Sequence, residues 1–128
     1  CSGTDVVYEG KIDPRHCINS SSQTFFGDQW VKAELIVLGD SLITHLINND
    51  TVLQYTQPQI GGGVVNRYDP AIKQDGKLLD QGFIALQSEG QPIDFRNIRL
   101  RNLRGCMDKE SANYKSYFIK HDEEACQH

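Results

Sequence analysis

The sequence predicts a mainly β fold built on an antiparallel sheet, and three observations carry that prediction. Apolar and polar residues alternate through Trp30–Leu38, Ser41–Asn48 and Thr51–Tyr55, which is the period of strands with one face covered. Gly39-Asp40 and Asn48-Asn49-Asp50 join these runs as tight turns, since Asn and Asp tolerate the left-handed backbone region. The stretch 82–103, GFIALQSEGQPIDFRNIRLRNL, reads as two strands around Ser88-Glu89-Gly90-Gln91-Pro92, where Gly is free to take positive φ and Pro fixes its own.

Taken in order, Asp5–Glu9 is a short strand and Asn19–Thr24 is a solvated polar loop. In Trp30–Leu38, Val31, Ala33, Leu35 and Val37 share one face, with Lys32 and Glu34 on the other. Trp30 is expected in the core. The following strand sets Leu42, Thr44 and Leu46 against Ile43, His45 and Ile47, and Thr51–Tyr55 returns beside it. Residues 56–81 hold Gln57-Pro58, Gly61-Gly62-Gly63, Asp69-Pro70 and Asp75-Gly76, and so read as one long loop, a length that often marks function. The three glycines are not a phosphate loop, because no G-K-[ST] follows and no helix opens there. They serve either close backbone packing or a loop that covers a ligand. In 93–103 neither face is cleanly apolar, so the run needs a bulge or cover on both sides.

At 128 residues the chain is long enough for one domain with a core. Its net charge of −4 argues against a nucleic-acid partner, and the basic cluster Arg96, Arg99, Arg101 and Arg104 reads as a solvated strand face. No apolar run is long enough for a membrane-spanning helix. The absence of a leader sequence suggests a mature or trimmed chain. Four cysteines without a C-x-x-C pair favour disulfides over zinc and an oxidising, exported location. Three connectivities are open, and the spacing suggests Cys1 with Cys17 and Cys106 with Cys126. Cys1-Ser2-Gly3 also fits the lipidated start of a lipoprotein, with a disulfide partner or a trimmed end the preferred reading.

The hairpin carries a resemblance as well. G-F-I-A-L-Q-S-E-G followed by D-F-R-N-I-R-L resembles the closing hairpin of the 3-keto-disaccharide hydrolase domain family (formerly DUF1080). The likeness extends back through Trp30–Glu34 and Ile43–Asn48, and more loosely to Tyr8-Glu9. It implies a concanavalin-like (jelly-roll) β-sandwich over residues 1–104, of which this chain is expected to carry a C-terminal portion. Residues 105–128 are similar to a short cysteine-bounded motif of the form G-C-x-D-x-x-A-x-N-Y, matched at Gly105, Cys106, Asp108, Ala112, Asn113, Tyr114, Asp122 and Cys126. Such units end secreted bacterial proteins, and one this small needs its disulfide. Asp108, Asp122 and Glu123 are oxygen donors of the kind calcium takes, but their irregular spacing favours a solvated acidic cap. With few strands to count, an open edge predicts association with a second copy or with a missing N-terminal half.

The resemblance further implies a carbohydrate substrate oxidised at carbon 3. The ketone acidifies the proton on carbon 2, so a base can remove it while the glycosidic oxygen leaves carbon 1. This chemistry needs a base, a donor or divalent metal ion for the enolate oxygen, and an acid. Glu9, His45 and Glu89 are the expected catalytic residues, with Asp13 and His16 as further base candidates. Arg67, Tyr68, Gln87 and Arg96 are expected to bind substrate. A retaining glucanase is disfavoured, because no carboxylate pair sits at the strand spacing it needs. The remaining alternative is a carbohydrate-binding module without catalysis, since a fold does not assign a function.

Overall fold

The computed structural model describes residues 3–15, 17–61, 68–88 and 90–127. The chain divides into two compact units, Cys1–Ala85 and Leu86–His128. The first has the expected class. Strands β1 (Thr4–Tyr8), β2 (Lys11–Asp13), β3 (Ala33–Val37), β4 (Ile43–Ile47) and β5 (Asp50–Ile60) form one antiparallel sheet in the order β2-β1-β5-β4-β3.

Turn chemistry sets the register. Asn48 and Asn49 take φ of 50° and 75° between Ile47 and its partner Asp50, a two-residue turn with both residues left-handed. That geometry matches the twist of the flanking strands. Asn48 Oδ1 accepts the Lys32 backbone N–H at 3.1 Å, and Asn49 Oδ1 accepts from Lys32 Nζ at 2.8 Å. Glu9 and Gly10 (φ 49° and 78°) make the same kind of turn between β1 and β2. The short strand β2 was not foreseen.

β5 carries two bulges. His45 pairs with Leu53 while Leu46 pairs with Thr51, which leaves Val52 unopposed. Its carbonyl accepts the Ser21 N–H at 2.9 Å and the Ser21 hydroxyl at 3.2 Å. Further on, Val7 pairs with Thr56 and Asp5 with Gln59, so Gln57 and Pro58 together oppose Val6. Gln57 is left-handed there (φ 48°), and its N–H reaches the Asp40 carbonyl at 2.7 Å. Pro58 has no N–H to lose from a ladder.

Residues 56–81 are therefore not one loop. β5 continues to Ile60, and the chain returns antiparallel along it. Ile60 N–H donates to the Lys77 carbonyl, Gly76 N–H to Ile60 and Leu79 N–H to Pro58, each at 2.8 Å, with a bridge between Gln59 and Leu78. Gly61 packs closely on Asp5: a Cβ there would lie 2.7 Å from its carboxyl carbon and 2.8 Å from its backbone nitrogen. Gly62 and Gly63 lie outside the described residues.

Two expectations about packing are corrected. Trp30 is 53 % exposed rather than in the core. Residues 82–88 and 90–103 form no strand, and Phe83, Ile98 and Leu100 are largely exposed. The physical reason lies in the pattern itself. Apolar positions shift from Ile93 and Phe95 to Ile98 and Leu100, and Asn97 sits at the switch in the left-handed region (φ 55°). This is the local conformation of a bulge, but a ladder also needs a partner strand, and none pairs with this run among the described residues.

The second unit ends in a tail held by the Cys106–Cys126 disulfide. Cys106 is fully buried. β6 (Arg104–Gly105) and β7 (Lys120–His121) pair in parallel, and a single 3₁₀ turn spans Glu123–Ala125. Gly105 faces the Phe118 ring so closely that a Cβ would lie 2.6 Å from its Cε atoms. The buried Ser111 accepts the Gln127 N–H at 2.9 Å, and its hydroxyl has Asn113 Oδ1 (2.6 Å) and the Gln127 carbonyl (3.0 Å) as acceptors.

Candidate functional site

Directly paired residues share a face of a sheet, so the register assembles one face of the first unit. β4 contributes Ile43, His45 and Ile47, and β5 contributes Leu53 and Tyr55. β3 contributes Ala33, Leu35 and Val37, and β1 contributes Val6 and Tyr8. Ile43 (4 % exposed) and Val6 (8 %) anchor it. The face is apolar apart from a few groups, and two of these meet near its middle. His45 Nε2 lies 3.1 Å from the Tyr55 hydroxyl, with the rings 5.4 Å apart and tilted by 41°.

Both groups are half-buried, and burial acts on them in opposite directions. It lowers the His45 pKa from its ordinary 6.5 and raises that of Tyr55 from its ordinary 10.0, because each charged form loses hydration. At neutral pH the pair is an uncharged imidazole beside a protonated phenol. The first can take a proton and the second can give one.

At the β1–β2 end lies a shallow, open recess of about 440 Å³, lined by Tyr8, Glu9, Asn19–Ser21 and Thr51–Gln54. The Val52 bulge forms part of its wall, where Ser21 holds the strand's free carbonyl. Glu9 is exposed at its rim, in a left-handed conformation that Gly or Asn takes more readily. His45 does not line the recess, although its cross-strand partner Leu53 does.

The remaining expected residues scatter. Asp13 is committed to Arg15, which forks onto it with Nε 2.9 Å from both carboxylate oxygens. Those hydrogen bonds hold its carboxyl below the usual range and make it a poor base. Tyr68 is exposed, with the Lys73 ammonium 5.4 Å above its ring. Gln87 and Arg96 are exposed residues of the second unit. Glu89, Arg67, His16 and Cys1 lie outside the described residues. Cys17, the expected partner of Cys1, is an exposed free thiol.

Tyr55 went unnoticed in the sequence. No short motif marks it, and counting back from the Asn48-Asn49 turn puts it on the face opposite His45. In the tail, His121, Glu123 and Cys126 bring metal-ligand atom types within 4.8 Å of one another. The Cys126 sulfur is spent in the disulfide, and His121 is occupied on both nitrogens, by the Met107 N–H at 3.0 Å and Glu123 at 2.8 Å. The group does not fit a metal.

Residues 4–101 match the 3-keto-alpha-glucoside-1,2-lyase-like domain family. The chain belongs to this family. The match takes in all five strands of the sheet and the 82–101 run, and ends before the tail. No curated protein and no solved structure matches the chain. No helix among the described residues is long and apolar enough to cross a membrane, and the Cys106–Cys126 disulfide fits an oxidising compartment.

Proposed function

We propose that this domain cleaves 3-keto-glycosides by removing the proton next to the ketone, with His45 as the base. The observation that carries this reading is the His45–Tyr55 pair on a half-buried sheet face of a chain from the lyase-like family. A neutral imidazole in an apolar setting is a competent base at ordinary pH. Glu9, at the rim of the recess, binds a sugar hydroxyl or assists the base. Tyr68, exposed in the same unit, is a further proposed substrate contact. The protein works outside the cytoplasm, secreted or at a bacterial cell surface, in keeping with its disulfide.

The test is turnover of a 3-keto-disaccharide and of its unoxidised parent, each with and without a chelator. Cleavage of the keto sugar alone is the expected result, and loss on chelation would add a divalent ion to the site. Cleavage of both sugars alike would point to ordinary glycoside hydrolysis and remove His45 from its role.

A second reading rests on the recess. Its lining by Asn19, Ser20, Ser21, Thr51 and Gln54 beside Tyr8 offers amide, hydroxyl and aromatic groups on an open surface, as a carbohydrate-binding module would. Binding of both sugars without cleavage of either selects that reading.

A further inference from the structure

We infer that Tyr55 is the general acid of the reaction, giving its phenolic proton to the departing glycosidic oxygen and regaining one from His45. The inference rests on the lyase reading above and adds to it the residue that protonates the leaving group.

From β3, the residues that share the face of His45 are Ala33, Leu35 and Val37, none of which titrates. From β5 the titratable groups on that face are Tyr55 and, at the turn end, Asp50; from β1 there is Tyr8. Burial alone accounts for the direction in which His45 is moved, with no neighbouring charge contributing. A carboxylate beside His45 would hold it as an imidazolium. A phenol at 3.1 Å adds no charge beside it and lies within hydrogen-bond reach for passing a proton.

In the tautomer that carries its hydrogen on Nε2, the two ring nitrogens have different tasks. With Nε2–H donating to the Tyr55 oxygen, Nδ1 keeps its lone pair for the substrate, and the Tyr55 O–H is free to point elsewhere. In the elimination, Nδ1 takes the carbon-2 proton and the C–H electrons form the C1=C2 bond. The C1–O bond breaks toward oxygen, and Tyr55 protonates that oxygen. The imidazolium Nε2–H passes to the Tyr55 oxygen. Both residues end uncharged, His45 as its other tautomer, and no oxidant or external acid is consumed. Two singly placed groups would each need recharging by solvent, whereas a bonded pair returns the proton directly.

Leaving-group dependence separates this role from a structural one. A sugar alkoxide needs a proton to depart, and 4-nitrophenolate does not. Tyr55→Phe is therefore expected to lower kcat on a 3-keto-disaccharide by about 100-fold or more, and to stay within about 3-fold of the parent on a 4-nitrophenyl 3-keto-glucoside. Circular dichroism checks that the variant is folded. Equal losses on the two substrates would assign Tyr55 to positioning or packing and overturn the inference, as would no loss on either. As a second measurement, site-specific replacement of Tyr55 by 3-fluorotyrosine keeps the shape and acidifies the phenol. The alkaline limb of the disaccharide pH profile should then move down while the nitrophenyl profile stays put, and an unmoved limb overturns the role. Should the parent protein cleave neither keto substrate, the lyase reading itself fails and takes this role with it. Cleavage by the parent with no leaving-group split removes Tyr55 alone.

Discussion

The sheet of the first unit and the tail of the second solve the same problem in different ways. Each buries little apolar surface: among the described residues, Val6 and Ile43 are the buried apolar side chains of the one, and Cys106 that of the other. The sheet answers with backbone pairing directed by left-handed turns at Glu9-Gly10 and Asn48-Asn49. The tail has only two residue pairs of ladder, so a covalent link and the Ser111–Asn113–Gln127 network replace it. The difference teaches where chemistry can sit. Antiparallel pairing leaves side chains standing in rows on an open face, where His45 and Tyr55 can act, whereas the tail consumes its polar groups in holding its own loop closed.

That contrast can be broken in several places, beginning with the largest effect. His45→Ala should lower turnover of the 3-keto-disaccharide by about 100-fold or more while leaving the tail intact, which steady-state kinetics and disulfide mapping would show together. Unchanged turnover would move the chemistry off this face. Next, Cys106→Ser should destabilise the tail by about 3 kcal/mol in the chain-entropy account of a loop this long, seen as faster amide exchange over 104–127 with the sheet amides unaffected. Equal loosening of the sheet would show that the two regions do not stand independently.

Smaller effects test the close approaches. Gly105→Ala should cost the tail about 1–3 kcal/mol through the Phe118 ring, and Gly61→Ala should cost the end of the sheet a similar amount through the side chain and backbone nitrogen of Asp5. Each is read as a local rise in exchange. Glu9→Asn keeps the turn, suits the left-handed position better and removes the longer carboxylate. It should stabilise the sheet by up to about 1 kcal/mol and weaken substrate binding, giving a higher Tm with a higher KM. A fall in Tm would show that the Glu9 side chain has a structural task.

The finest test is pH. The folded state holds the His45 pKa below the ordinary 6.5, so below that value the unfolded chain binds more protons than the folded one. The contribution of His45 to stability should therefore be fully present above 6.5 and be lost as pH falls from there through the folded pKa. The acid limb of kcat/KM should likewise lie below 6.5. A histidine titration followed by NMR, with His45→Ala to assign the peak, checks both, and a pKa above 6.5 would contradict them.

Much of this was legible in the residues. The alternation of 30–38, 41–48 and 51–55 located three strands, because one covered face imposes a period of two. The Asn48-Asn49 turn was readable because few residues accept positive φ. The 82–103 run was misleading for a physical reason: strand propensity reports a surface suited to a sheet, and only a partner strand makes it one. β2 was missed because three residues are too few to show a period.

By itself the sequence determined the antiparallel class, the left-handed turn and a cysteine spacing that suits the tail disulfide. All of these depend on neighbours close along the chain or on backbone preferences that single residues carry. Only the tertiary structure decided which residues meet across the sheet. Ile47 faces Asp50, so an unbroken ladder would set His45 opposite Val52 and turn Tyr55 to the other face. The unpaired Val52, tied by its carbonyl to Ser21, shifts the register by one residue and brings Tyr55 to His45. A period of exactly two residues makes that single step decisive.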